Sequence, residues 1–174
     1  MKVEPRKEHG WLQKLVGDWT YEGDYVTEPG QPQSTFKGSE TVRSLGEIWV
    51  VSEGQGEMPG GGAATTMATV GYDPRQERFV GTWIGSMMAH LWVYDGGSLD
   101  ADAKALTLDA EGPSMAGDGT LAKYRDVIEL ESDDHRTLTS SVLGDDGGWR
   151  TFMTTRYRRK KTVQHDTAKG GPAP

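Results

Sequence analysis

Four short polar connections constrain this chain more than anything else in it. They are Asp73-Pro74-Arg75-Gln76, Asp100-Ala101-Asp102-Ala103, Ser132-Asp133-Asp134-His135 and Gly144-Asp145-Asp146-Gly147. Each lies between two runs of strand character, and Asp, Pro and Gly at such points favour a tight bend. A connection this short joins antiparallel neighbours only, because a parallel crossover takes a dozen residues or more. The runs fall at 19–27, 34–44, 47–57, 65–72, 77–86, 88–99, 105–111, 121–131, 135–144 and 148–158. The first of them sets the period of two, with Trp19, Tyr21 and Tyr25 against Thr20, Glu22 and Asp24. A meander of about ten strands twists, and its exposed edges favour closure. The expected fold is all-β: an antiparallel up-and-down β-barrel of about ten strands.

Residues 5–16 read as a short helix. Pro5 suits a first turn, Trp11, Leu12, Leu15 and Val16 lie near helical spacing, and Gly17 is a natural stop. That apolar face is too small to stand alone, so it is expected to lid one end of the barrel. Two longer connections, Met58 to Ala64 and Gly112 to Gly119, follow the third and seventh runs. In an up-and-down barrel they share one rim with the first, fifth and ninth connections. Residues 1–160 are read as one domain and 161–174 as a polar, flexible tail.

The bulk numbers narrow the function classes. The 174 residues suit one domain with a real core. The net charge of -7 argues against general nucleic-acid binding. With no cysteine, disulfides, thiolate metal sites and a Cys nucleophile are all excluded. No run approaches the roughly 20 apolar residues of a membrane helix. The charged N-terminal stretch Met1 to Glu8 lacks an apolar core, so a cytoplasmic protein is expected, with no membrane partner. No histidine pair has metal-ligand spacing, so no metal is expected.

The densest pattern runs from Gly71 to Tyr94. Phe79, Gly81, Trp83, Gly85 and Met87 share one face of the fifth run, and Met88, His90, Trp92 and Tyr94 one face of the sixth. If both faces turn inward, they line a cavity with indole and thioether groups around one imidazole, the usual makeup of a small-molecule pocket. Small residues beside large rings would leave the volume. Trp83, Met87, His90, Trp92 and Tyr94, with Trp49 and Tyr72, are therefore the candidate binding residues. Packed core is the alternative for the same pattern. His90 is also the one candidate for acid–base work, alongside the strand carboxylates Glu53, Glu57, Asp126 and Glu129. Gly17 and Trp19 are read as structural, with Arg156 or Arg158 crossing the barrel end to stack on Trp19.

Leu15-Val16-Gly17-Asp18-Trp19, Arg43-Ser44-Leu45-Gly46, Gly71-Tyr72-Asp73, Gly81-Thr82-Trp83-Ile84 and Arg156-Tyr157-Arg158-Arg159 together resemble a bacterial family, the domain of unknown function family 1579, over roughly residues 8–160. The resemblance implies a lipocalin-like (calycin) barrel and brings no activity or catalytic residues with it. A looser resemblance is to the haem-binding nitrobindins, ten-stranded barrels with a Gly-x-Trp start. Those depend on a histidine near the final strand, and Trp149 to Arg158 contains none. The leading expectation is non-covalent binding of a small hydrophobic or amphipathic molecule, with no cofactor. A barrel isomerase or hydrolase, a homodimeric interaction module and haem binding are the alternatives.

Overall fold

The computed structural model describes residues 3–26, 31 and 33–161; the expected tail beyond Lys161, with His165, lies outside the described residues. One helix, α1 (Lys7–Gln13), precedes eleven strands: β1 (Gly17–Tyr25), β2 (Ser34–Leu45), β3 (Trp49–Glu57), β4 (Ala63–Asp73), β5 (Arg78–Gly85), β6 (Trp92–Asp95), β7 (Gly97–Leu99), β8 (Ala105–Pro113), β9 (Leu121–Leu130), β10 (His135–Leu143) and β11 (Trp149–Arg159). All pairs are antiparallel, and β1 joins β11. The barrel expected from the turns is the barrel observed.

The sheet order begins at β6 and ends at β7, and these two are separated by Gly96 alone. β6 bonds to β5 through Trp83↔Trp92 and Val80↔Asp95, while β7 bonds to β8 through Gly97↔Leu108 and Leu99↔Leu106. One stretch of chain thus serves both edges and nearly closes the barrel. Gly96 makes the switch at φ 142, a conformation that a side chain disfavours. The expected sixth run, 88–99, is therefore corrected. Its second half is a broken stave and its first part, 88–91, is loop. The Met88 N–H turns back to the Gly85 carbonyl at 3.2 Å, which takes residues 88–91 out of the ladder.

The helix is shorter than the expected 5–16 at both ends: Arg6 is its N-cap, with Pro5 before it, and its last turn tightens, with Leu15 bonding back to Leu12 at 3.0 Å and Val16 to Gln13 at 3.2 Å. It caps the end where β1 and β3 begin and β4 ends. The Trp11 indole N–H donates to the Ala103 carbonyl at 2.8 Å. His9 is buried between two partners. Its Nδ1 accepts from the Arg6 N–H at 2.8 Å, leaving Nε2–H to donate to the Tyr72 carbonyl at 3.1 Å. The core lies beneath this cap: Trp11, Leu12, Leu15, Trp19, Val42, Val50, Val70, Phe79, Leu106, Leu108 and Ile128 form one buried cluster. The connections β3–β4, β5–β6, β8–β9 and β10–β11 ring the opposite, uncapped end.

Trp19 anchors the pairing of the first strand with the last. It is fully buried and donates its indole N–H to the Leu15 carbonyl at 2.9 Å. Its cationic partner is Arg159, 4.2 Å from the ring centroid, joined by Arg136 at 4.7 Å. Arg156 and Arg158, the expected partners, are exposed instead, and Arg156 pairs with Asp24 at 2.7 Å. Alternation explains the correction: Tyr157 points inward, so its two neighbours point out, and Arg159 is the next inward position, opposite Trp19 in the ladder. Gly17 sits at φ 138 with the Arg159 guanidinium where a Cβ would be.

Candidate functional site at the open end of the barrel

Alternation sorts the candidate residues into three places. Trp83, Trp92 and Tyr94 lie on the inner face, as expected. Trp49 does not join them. Its neighbour Val50 is core, so Trp49 faces outward, its ring lying over Gly71 with no room there for any side chain. Tyr72 is inner but belongs to the capped end, edge-on to His9 at 5.7 Å and to Phe79 at 5.1 Å. Met87 and His90 are off the strands, on the 86–91 loop.

The small inner residues do not leave empty volume beside each large ring, as the sequence pattern invites one to expect. The rings fill it. Trp92 occupies the space over Gly112, Trp83 that over Gly85, Phe36 that over Gly23, and the Tyr21 hydroxyl that over Gly38 and Gly56. Four rings and the imidazole continue in near-perpendicular contacts at the open end. Tyr25 meets Phe152 at 5.9 Å, Phe152 meets Tyr124 at 6.1 Å, Tyr124 meets Trp92 at 4.8 Å, and Trp92 meets His90 at 4.9 Å. Edge-to-face pairs of this kind fix ring orientation.

A cavity of about 530 Å³ lies at the rim of the open end, bounded by 53–55 of β3, 65–67 of β4, the end of β5 and the 86–91 loop. Val50, Val70 and Phe79 are core, so Met67 and Ile84 alternate outward and the cavity opens on the outer face of the wall; of the expected binding residues only His90 lines it, and Trp83, Met87, Trp92 and Tyr94 do not. Met67, Ile84, Met88 and Leu91 give it an apolar character, and all four are exposed. His90 is the imidazole of that wall. Its Nε2 is shut off from solvent with no hydrogen-bond partner among the described residues. Burying such a group unpaired costs about 1–3 kcal/mol. The loop itself is held by Ser86, whose Oγ accepts from the Thr65 N–H at 3.0 Å.

Deeper in the barrel is a polar cluster that the sequence pattern does not reveal. The Tyr94 hydroxyl and the Ser140 hydroxyl each donate to Asp126, both at 2.5 Å. Burial, the largest influence, holds the Asp126 carboxyl above its ordinary range, against the two hydrogen bonds. Burial, then the charge of Asp126, pushes the Tyr94 phenol well up, and burial likewise raises Tyr157. Beside them Arg136 pairs with Glu40, its guanidinium 3.8 Å from the Tyr157 ring centroid. Asp126 shares the inward parity of Tyr124 and Ile128, and Arg136 that of Leu138, whereas Glu53, Glu57 and Glu129 have the outward parity and are exposed.

The family model described as "Protein of unknown function (DUF1579)" matches residues 4–159. The chain belongs to the DUF1579 family. A comparison of this DUF1579 protein with curated proteins gives no match. Among solved structures its barrel is similar to Rv2717c from M. tuberculosis, at 10% identity over 91% of this chain and 100% of that chain, with a TM-score of 0.58. It is less similar to designed barrels. EF1p2_mFAP2b bound to DFHBI matches at 15% identity over 88% of this chain and 99% of that chain, with a TM-score of 0.47. A de novo designed fluorescence-activating beta barrel matches at 11% identity over 86% of this chain and 96% of that chain, also with a TM-score of 0.47. The first likeness supports the DUF1579 chain's fold.

Proposed function

We propose that the protein binds a small hydrophobic or amphipathic molecule at the open end of the barrel. The observation that carries this reading is the apolar cavity of about 530 Å³ beside the 86–91 loop. Its size lies inside the roughly 300–1,000 Å³ of small-molecule pockets. Binding is driven by removing apolar area on both partners from water, at about 25 cal/mol per Å². His90 supplies the orienting polar contact, because a guest that pairs with its Nε2 removes an existing penalty. The test is native mass spectrometry of the protein purified from its own host. A retained small molecule, released by denaturation and absent from an Ile84→Asp, Leu91→Asp variant, supports the reading. Bare protein that also fails to bind an apolar fluorescent probe saturably contradicts it.

A second reading, proton transfer inside the barrel, is favoured by Asp126, whose buried carboxyl is held above its ordinary range between two hydroxyl donors. It takes the place of His90, which makes no hydrogen bond to a carboxylate among the described residues. Conversion of the retained molecule by the wild-type protein but not by Asp126→Asn would support this reading. Recovery of the molecule unchanged after long incubation would exclude it.

A further inference from the structure

The 86–91 loop gathers soft donor atoms that a count of imidazoles, thiolates and carboxylates passes over. Among the described residues no group of three or more His, Asp or Glu stands ready for a metal. Met87, Met88 and His90, however, fall within four residues, and Met67 lines the same cavity as Met88 and His90. Trp92 brings two of them together. The Met88 Sδ accepts from its indole N–H at 3.0 Å, and the His90 ring stands edge-to-face with the same indole, 4.9 Å between centroids.

His90 differs from the other histidines of the described residues. His9 uses both ring nitrogens, and His135 has Ser132 within hydrogen-bond distance of its Nδ1 at 3.2 Å. The His90 Nε2 is buried with no partner among the described residues. A thioether and an imidazole form a donor set for one kind of ion. Thioethers are poor ligands for hard cations and good ones for Cu(I), and imidazole suits the same metal. The carboxylate nearest the set in the cavity wall, Glu53, is engaged with Arg43 at 2.7 Å.

We propose that the 86–91 loop is a binding site for a soft monovalent cation, Cu(I), with His90 Nε2 and the Met88 thioether as ligands, Met87 or Met67 as the third, and Trp92 alongside. None of these ligands has to lose a proton to bind. Residues 88–91, which carry the ligands and are off the ladder, can close on the ion while Ser86 holds the base of the loop to Thr65. This goes beyond binding of an organic guest and stands or falls separately.

The experiment uses the full chain stripped with chelator. Ag(I), a redox-inert stand-in, is titrated while tryptophan fluorescence is followed, and Cu(I) is then titrated anaerobically against a chromophoric Cu(I) chelator. The proposal expects one ion per chain, a Kd below roughly 1 μM, and quenching of tryptophan emission. His90→Ala and Met88→Leu should each weaken binding at least roughly tenfold, with Met115→Leu as the unchanged control and circular dichroism confirming that all three fold. Zn(II) should not compete. Affinity in the millimolar range, or tight binding that survives both His90→Ala and Met88→Leu, overturns the site.

Discussion

Arg159 shows how much one position can differ from its neighbour. Its guanidinium covers Trp19 and donates to the carbonyls of Val16 at 2.6 Å and Lys14 at 2.9 Å, tying the last strand to the end of the helix. Arg158, one residue earlier, is exposed. Arg159→Ala should therefore cost about 1–2 kcal/mol in urea denaturation, and Arg158→Ala no more than about 0.5. Equal costs would contradict this assignment. The Glu40–Arg136 pair is buried, and removing one member strands the other. Glu40→Gln should destabilise by about 3 kcal/mol, while Glu40→Leu with Arg136→Met should recover most of that loss in the same assay. Asp126 fixes a sign. Its folded carboxyl titrates above its unfolded value near 3.8, so the folded state binds the extra proton. Its stabilising contribution is full at acid pH and is lost as pH rises through the folded value. Asp126→Asn cannot ionise and so removes that loss, its amide oxygen accepting from one hydroxyl and its NH2 donating to the other. Stability measured against pH should fall for the wild type relative to this variant above about pH 4. Parallel curves would show that Asp126 does not titrate as described.

At the scale of elements, the decisive one is the stave that breaks at Gly96. Any side chain at φ 142 is strained, and the strain falls where the barrel closes. Gly96→Val should cost about 1–3 kcal/mol and expose the β5–β6 and β7–β8 amides to faster hydrogen exchange than those of β1 and β11. Uniform protection around the barrel would contradict the seam. The sequence showed the run through this region but not the break, because Met88, His90, Trp92 and Tyr94 keep a period of two straight across the change from loop to strand. Periodicity records spacing along the chain, not whether the ladder continues. The turn after Gly85 that removes 88–91 is made by a backbone hydrogen bond, which has no side-chain signature. The helix was legible from the Trp11 to Val16 spacing and Gly17, and both of its ends were overestimated: Pro5 precedes the N-cap Arg6, and the chain after Gln13 turns more tightly.

For the molecule as a whole, the two ends divide the work. The capped end holds the buried cluster, with α1, Trp11 and His9 sealing it. The other end carries the 86–91 loop, the ring contacts and the apolar cavity. This polarity was half legible. Odd-numbered connections share a rim in any up-and-down barrel, and the helix had to close one end. The sequence could not show that the inner glycines are filled by the rings beside them, because that depends on which strand lies next to which. The site accordingly gathers at the rim instead of along the axis, and Trp49 and Tyr72 fall away from it. The most direct test is an amide chemical-shift titration with the molecule retained from the host, or with an apolar probe. The account predicts saturable shifts concentrated at residues 53–55, 65–67 and 84–91, with little change at 7–16 and 100–104. Shifts centred on the helix-capped end, or none that saturate, would contradict it.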